Sequence, residues 1–199
     1  AVDSFIAQKG FTAEFIQNGA PALYYRIDMS IAKSQIASLL IAGILMLAAN
    51  VILLRSLKIG TVGMIPVVFT LFILFGSMGY FRIPLDIATV LIGSISLGMG
   101  IDYSLHFLNR FKREFAEDGN LDRSLQATLH TTGKAIVINA VTVAVGFLAL
   151  FAGDFLPLRR FGYLISIAMV SSSLAAMAAL PAVLRAVKLR ENGKKSLNA

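Results

Sequence analysis

Asp102 is the single acid in an apolar run, residues 87–107, that reads Ile-Ala-Thr-Val-Leu-Ile-Gly-Ser-Ile-Ser-Leu-Gly-Met-Gly-Ile-Asp-Tyr-Ser-Leu-His-Phe. Such a run can cross a bilayer as a helix, which takes about 20 residues. A charged carboxylate in hydrocarbon costs roughly 2.5–3.5 kcal/mol even on lenient insertion scales unless it is paired, hydrated or protonated. The chemistry open to a lone membrane acid is therefore the uptake and release of a proton. His106 follows four residues later, on the same helical face, while Tyr103 points toward an adjacent face.

The next apolar run carries Asn139 and, three residues on, Thr142. Asp102 lies near the end of its run, and Asn139 lies a similar distance past Lys134 on the same side. A rise of 1.5 Å per residue then puts both at similar depth. We expect Asp102, Tyr103, Asn139, Thr142 and His106 to form a polar cluster between the third and fourth spans. No Lys or Arg lies at that depth in the sequence, and a buried carboxyl without a partner favours its neutral form. Gly98 and Gly100 are expected to let a neighbouring helix or a file of water approach the carboxyl. Simpler roles exist for each residue. An acid can hydrogen-bond a neighbouring helix, amides and hydroxyls serve as interhelical glue worth about 0.6 kcal/mol, and a histidine so placed can sit at headgroup level.

The elements that position these residues follow from composition. Hydrophobic residues make up 57% of the 199 and charged residues 15%, with a mean hydropathy of +0.76. That is the balance of an integral membrane protein. Cysteine is absent, which excludes disulfides and thiolate metal sites. Five apolar segments stand out, at 34–54, 64–81, 87–107, 135–153 and 163–184. They lack the dyad alternation of a membrane barrel, so the expected fold is an all-α, five-span helical bundle over residues 33–188.

Twelve of the 18 Lys and Arg residues fall on one side of these spans. That side is expected to be cytoplasmic, with the N-terminal segment outside and the tail, residues 189–199, inside. Residues 1–32 read as the end of an extracytoplasmic domain and its lead-in. Thr12–Gln17 alternates weakly and precedes the turn pair Asn18-Gly19, as a strand would. The first residue is not Met, so the chain is expected to begin inside a longer protein. Residues 108–134 form the long cytoplasmic connection. Asn120 is placed as an N-cap, Leu121, Leu125 and Leu129 repeat at four-residue intervals, and Gly133 is placed as a stop. This reads as a short amphipathic helix, lying on the membrane surface or covering the bundle. Asp86 and Asp154 are expected to be solvated caps at span ends. Arg159 and Arg160 should anchor at the interface.

The pieces Ser34-Gln35, Leu54-Arg55-Ser56-Leu57-Lys58, Ile65-Pro66, Ile83-Pro84-Leu85-Asp86 and Gly98-Met-Gly-Ile-Asp102-Tyr103-Ser-Leu-His106-Phe occur in this order. So do Gly146-Phe147, Phe161-Gly162 and Leu180-Pro181-Ala182 further on. Together they resemble the resistance–nodulation–division superfamily, in its branch of MmpL, hopanoid-exporter and Patched-like proteins. The resemblance implies twelve spans in two related halves, of which this chain would supply the last five spans of the second. It matches Asp102 to the acid of the tenth span and Tyr103 to the tyrosine that follows it. The implied partner of Asp102 is an acid in the fourth span of an N-terminal half absent from these residues. The implied activity is proton-driven export of a lipid or other hydrophobic molecule at a bacterial inner membrane, with protons as the coupling ion and no cofactor. A homo-oligomer is compatible with it. The alternative is a lipid sensor or scaffold like the sterol-sensing domains, which share the fold.

Other classes find little support. The sequence has no nucleophile–base pair, metal-ligand cluster or phosphate loop, so an enzyme is not expected. Its basic residues are split among loop ends, which argues against nucleic acid.

Overall fold

The computed structural model describes residues 20–84 and 87–197. The expected strand at Thr12–Gln17 and the cap at Asp86 lie outside the described residues. Every long apolar run forms a helix, because hydrocarbon cannot satisfy backbone N–H and C=O groups and a helix satisfies its own. In chain order these are α1 (Ala20–Leu54), α2 (Leu57–Val62), α3 (Ile65–Tyr80), α4 (Ile87–Asp118), α5 (Leu121–Thr128), α6 (Lys134–Leu148) and α7 (Leu156–Leu197). A π turn, Leu129–Gly133, joins α5 to α6, and a 3₁₀ turn, Ala149–Ala152, follows α6. Among the described residues five stretches are long and apolar enough to cross a membrane: Lys33–Leu54, Leu57–Tyr80, Leu91–Asp118, Leu121–Ala152 and Leu156–Val187. The protein is an all-α membrane bundle.

The core sits where α4 and α7 meet. Ile92, Phe107, Leu108 and Phe111 of α4 are buried with Leu164, Ile165, Met169 and Leu180 of α7. α7 packs on α3, α4 and α6, whereas α1 leans mainly on α4. On α1, Ile36, Leu40 and Ile44 face outward at four-residue spacing, as a lipid-facing stripe does. Small residues set the close contacts, since lipid is as apolar as leucine and offers no hydrophobic drive for helix association. A Cβ added to Gly162 would stand 2.4 Å from the carbonyl oxygen of Phe147, so α6 and α7 touch backbone to backbone there.

Helix ends are closed individually. Arg55, at φ 48°, turns the chain after α1, and Lys112 donates through Nζ to the carbonyl of Leu54. A cation at a helix C-terminus also answers the negative end of the dipole. Asn120 caps α5 as expected, its Oδ1 accepting from the N–H groups of Asp122 at 3.1 Å and Arg123 at 3.2 Å. The expected stop at Gly133 is not there. Gly133 keeps helical angles, φ −59° and ψ −44°, and the chain runs through the π turn into α6. Its glycine serves packing instead, for a Cβ there would lie 3.3 Å from Cε of Met177. α5 covers the bundle, with Ser124, Leu125 and Thr128 buried. An exposed pair, Arg185 to Asp122 at 3.0 Å, ties it to α7.

We predict that Gly162→Ala destabilises the bundle by about 1–3 kcal/mol, since the methyl meets backbone that cannot move cheaply. Gly76→Ala, where nothing lies within 4 Å, should leave stability unchanged or slightly raised. Thermal unfolding of both variants in detergent checks this; equal losses would contradict the packing described.

Candidate functional site

Tyr103 and Asp102 are neighbours in sequence but face opposite environments. A helix turns about 100° per residue, which places Tyr103 inward at 4% exposure while Asp102 lies on the outer surface of the five-helix bundle. The expectation of an acid buried between spans is corrected here. The α4 face that carries Asp102 also carries His106, likewise exposed, and neither makes a hydrogen bond or ion pair with another described residue. Gly98, one turn before Asp102, opens onto free space on this face. Gly100 points the other way, and a Cβ on it would come 3.2 Å from Oγ of Ser172 on α7. It packs helices away from the acid and does not open a path to it.

Tyr103 links the outer face to the core. Asn139 of α6 donates through Nδ2 to the Tyr103 hydroxyl at 3.3 Å. That hydroxyl donates in turn to Sδ of Met169 on α7 at 3.7 Å. A buried phenol needs a partner, and here the acceptor is a thioether, a weak one. The same solution recurs at Asn50, whose amide donates to Sδ of Met64 at 3.6 Å. Asp102, Tyr103, Asn139, Met99, Val143 and Met169 surround a cavity of about 70 Å³. That is room for ordered water, which also needs two to four polar partners. The carboxyl, the phenol and the amide supply them.

Thr142 stays outside this arrangement. Its hydroxyl donates to the Ile138 carbonyl of its own helix at 2.8 Å and faces outward. The structure thus brings Asp102, Tyr103 and Asn139 to one cavity. It leaves His106 and Thr142 on the same exterior, outside the cavity lining. Met169, Met99 and Val143 are the lining residues that sequence reasoning missed. Apolar side chains in an apolar span carry no signal that sets them apart. The group can hold water beside a carboxyl, and the hydrogen bonds run from the Asn139 amide to the Tyr103 hydroxyl and from that hydroxyl to the Met169 sulfur. Among the described residues no cluster of His, Cys, Asp or Glu could hold a metal ion.

Residues 8–193 match the MMPL family. The chain is 29% identical to a putative membrane protein of Methanocaldococcus jannaschii, over 86% of this chain and 44% of that one. It is 28% identical to the apo-petrobactin exporter of Bacillus anthracis, over 85% of this chain and 22% of the exporter. The trehalose monomycolate exporter MmpL3 of Mycobacterium tuberculosis is 31% identical over 56% of this chain and 11% of its own length. The chain belongs to the MMPL family of the resistance–nodulation–division superfamily, and is a multi-pass membrane protein. It spans less than half the length of these relatives.

Asn139→Leu and Tyr103→Phe should couple in a double-mutant cycle on unfolding of the intact protein, by about 0.6 kcal/mol, the usual worth of an interhelical hydrogen bond in a membrane. Strict additivity would mean that the 3.3 Å contact contributes nothing.

Proposed function

We propose that this chain supplies one half of the proton-carrying membrane domain of an exporter for a lipid or other hydrophobic molecule, driven by the proton-motive force. The observation that carries the reading is the outer face of α4 and α6. Asp102, His106, Asn139 and Thr142 are all exposed there, at a depth where hydrocarbon would meet them. Asp102 lies about 12 Å before Arg110 along the helix, at 1.5 Å per residue. Ionisable groups within a membrane face a bundle interior or a water-filled cavity. On that rule we infer that the face is covered by further transmembrane protein, and the resemblance to the superfamily implies the acid of a second half opposite Asp102.

In the cycle we infer, Asp102 takes a proton from the extracytoplasmic side and gives it up inward past His106. The water beside Tyr103 and Asn139 serves as the conduit. Loss of the charge removes the cost of holding the α4 face against an apolar neighbour, so protonation favours one packing and deprotonation another. One charge moved through 100 mV is worth about 2.3 kcal/mol, enough to bias such an equilibrium by more than tenfold. The excess of Lys and Arg on one side supports an orientation with the N-terminal segment outside and the C-terminus inside, and the resemblance to the superfamily supports a bacterial inner membrane. The hydrophobic cargo is supported by the exporters among its relatives. A lipid sensor that does not pump needs no ionisable residue on this face, so Asp102 counts against it.

Asp102→Asn in the intact protein should abolish export, and Asp102→Glu should keep part of it. Lipid profiles of cells carrying each variant check this. The Asn variant should accumulate the same lipids as parental cells treated with a protonophore. Undiminished export by Asp102→Asn would overturn the proposal.

A further inference from the structure

On the other side of the α6–α7 pair lies a groove that the relay does not use. It holds about 860 Å³, within the roughly 300–1,000 Å³ of small-molecule sites. Phe69 and Ile73 of α3 form one wall and Ala144 and Leu148 of α6 the other, with α7 as the floor. Four small residues, Ser171, Ala175, Ala178 and Ala179, line the floor beside Ile167 and Leu174. Ser166 adds no polarity, for its hydroxyl turns to the backbone, 2.8 Å from the carbonyls of both Ala144 and Gly162. From Tyr163 to Ala179 the trough runs about 24 Å at 1.5 Å per residue, more than half of a hydrocarbon core of about 30 Å.

One end of the trough is basic. Tyr163 lines both the trough and a second cavity of about 380 Å³, which Arg159, Arg160 and Phe151 also line. The Arg159 guanidinium sits over the Phe151 ring, 4.5 Å from its centre. Its Nε is buried and has no hydrogen-bond partner among the described residues. Arg159 also lines the second cavity, and an anion held there meets its positive charge. An apolar trough that ends beside a cationic side chain, at the turn where α6 leaves the membrane, has the polarity of an amphiphile.

We propose that this groove binds an anionic glycerophospholipid, with an acyl chain along α7 and the phosphate on Arg159. The occupant is fixed by charge complementarity at the Arg159 end and by the length and apolarity of the trough. The site is independent of the relay. Asn139, Val143 and Met169 line the relay cavity, and Ala144, Ser166 and Val170 line the groove. A lipid seated here bridges α3, α6 and α7, of which α6 and α7 also line the relay cavity.

The test places the photoreactive residue p-benzoylphenylalanine at Val170 in the intact protein. The protein is reconstituted in vesicles of equal dioleoylphosphatidylglycerol and dioleoylphosphatidylcholine, and the adducts are identified by mass spectrometry. Val170 is 43% exposed in the groove, and Ile52, 72% exposed on α1, is the control position. The proposal expects phosphatidylglycerol adducts at Val170 to be enriched about fivefold, the ratio set by ~1 kcal/mol per basic residue near a surface. Ile52 should report the bulk ratio. Arg159→Gln should abolish the enrichment and Arg159→Lys should keep most of it. Bulk-ratio adducts at Val170, enrichment that survives Arg159→Gln, or loss with Lys as complete as with Gln would each overturn the proposal. So would adducts to a peptide in place of lipid, which would make the groove a helix-docking face.

Discussion

Hydrocarbon offers no hydrogen bonds, and the molecule is arranged around that constraint. A polar group brought to membrane depth must find a partner inside the protein, reach water or lose its charge. The backbone meets the demand by being helical throughout the spans. Inside the bundle, the Tyr103 hydroxyl meets it with Asn139 on one side and the sulfur of Met169 on the other. Asp102, one residue earlier, finds no hydrogen-bond or ion-pair partner among the described residues and lies exposed. Its carboxyl stands on the outer face beside a small polar cavity, where water or a facing helix must complete its surroundings. The functional reading grows from that one unmet group, and the tyrosine next to it ties the group to the core.

The same absence of hydrophobic drive explains how the helices are held. α7 can serve as the common partner of α3, α4 and α6 because its buried face is built from Ser172, Ala168 and Ala176 between larger anchors. Close backbone contact then supplies dispersion that side-chain burial would supply in water. That choice has a consequence on the far side of α7. Where small residues are not met by a neighbouring helix, they leave a trough. The apolar groove is thus a product of that packing rule, and the α6–α7 pair separates it from the polar cavity at Asp102.

Much of the fold was legible in the sequence. The five apolar runs, the cap at Asn120 and the depth match between Asp102 and Asn139 all follow from residue order and helical rise. What could not be read was the direction each face takes. A span that is apolar on every side gives no moment to orient it, so an acid could be placed at a depth but not on the inner or outer surface. Gly133 reads as a helix stop because glycine often is one. Only the approach of Met177 from 44 positions away shows that its role is to clear space. The same limit applies to Met169, whose part as an acceptor depends on a hydroxyl reaching it from another helix.

In the proposed cycle Asp102 changes its protonation state while embedded in the membrane. Infrared difference spectroscopy of the intact protein in lipid tests it most directly, with the protonated-carboxyl band followed as pH is stepped and Asp102→Asn as the reference. The account predicts a band that is missing from the variant and whose intensity changes with pH in the parent. A band that belongs to Asp102 and stays constant across the accessible range would make it a fixed structural acid, and would contradict the account.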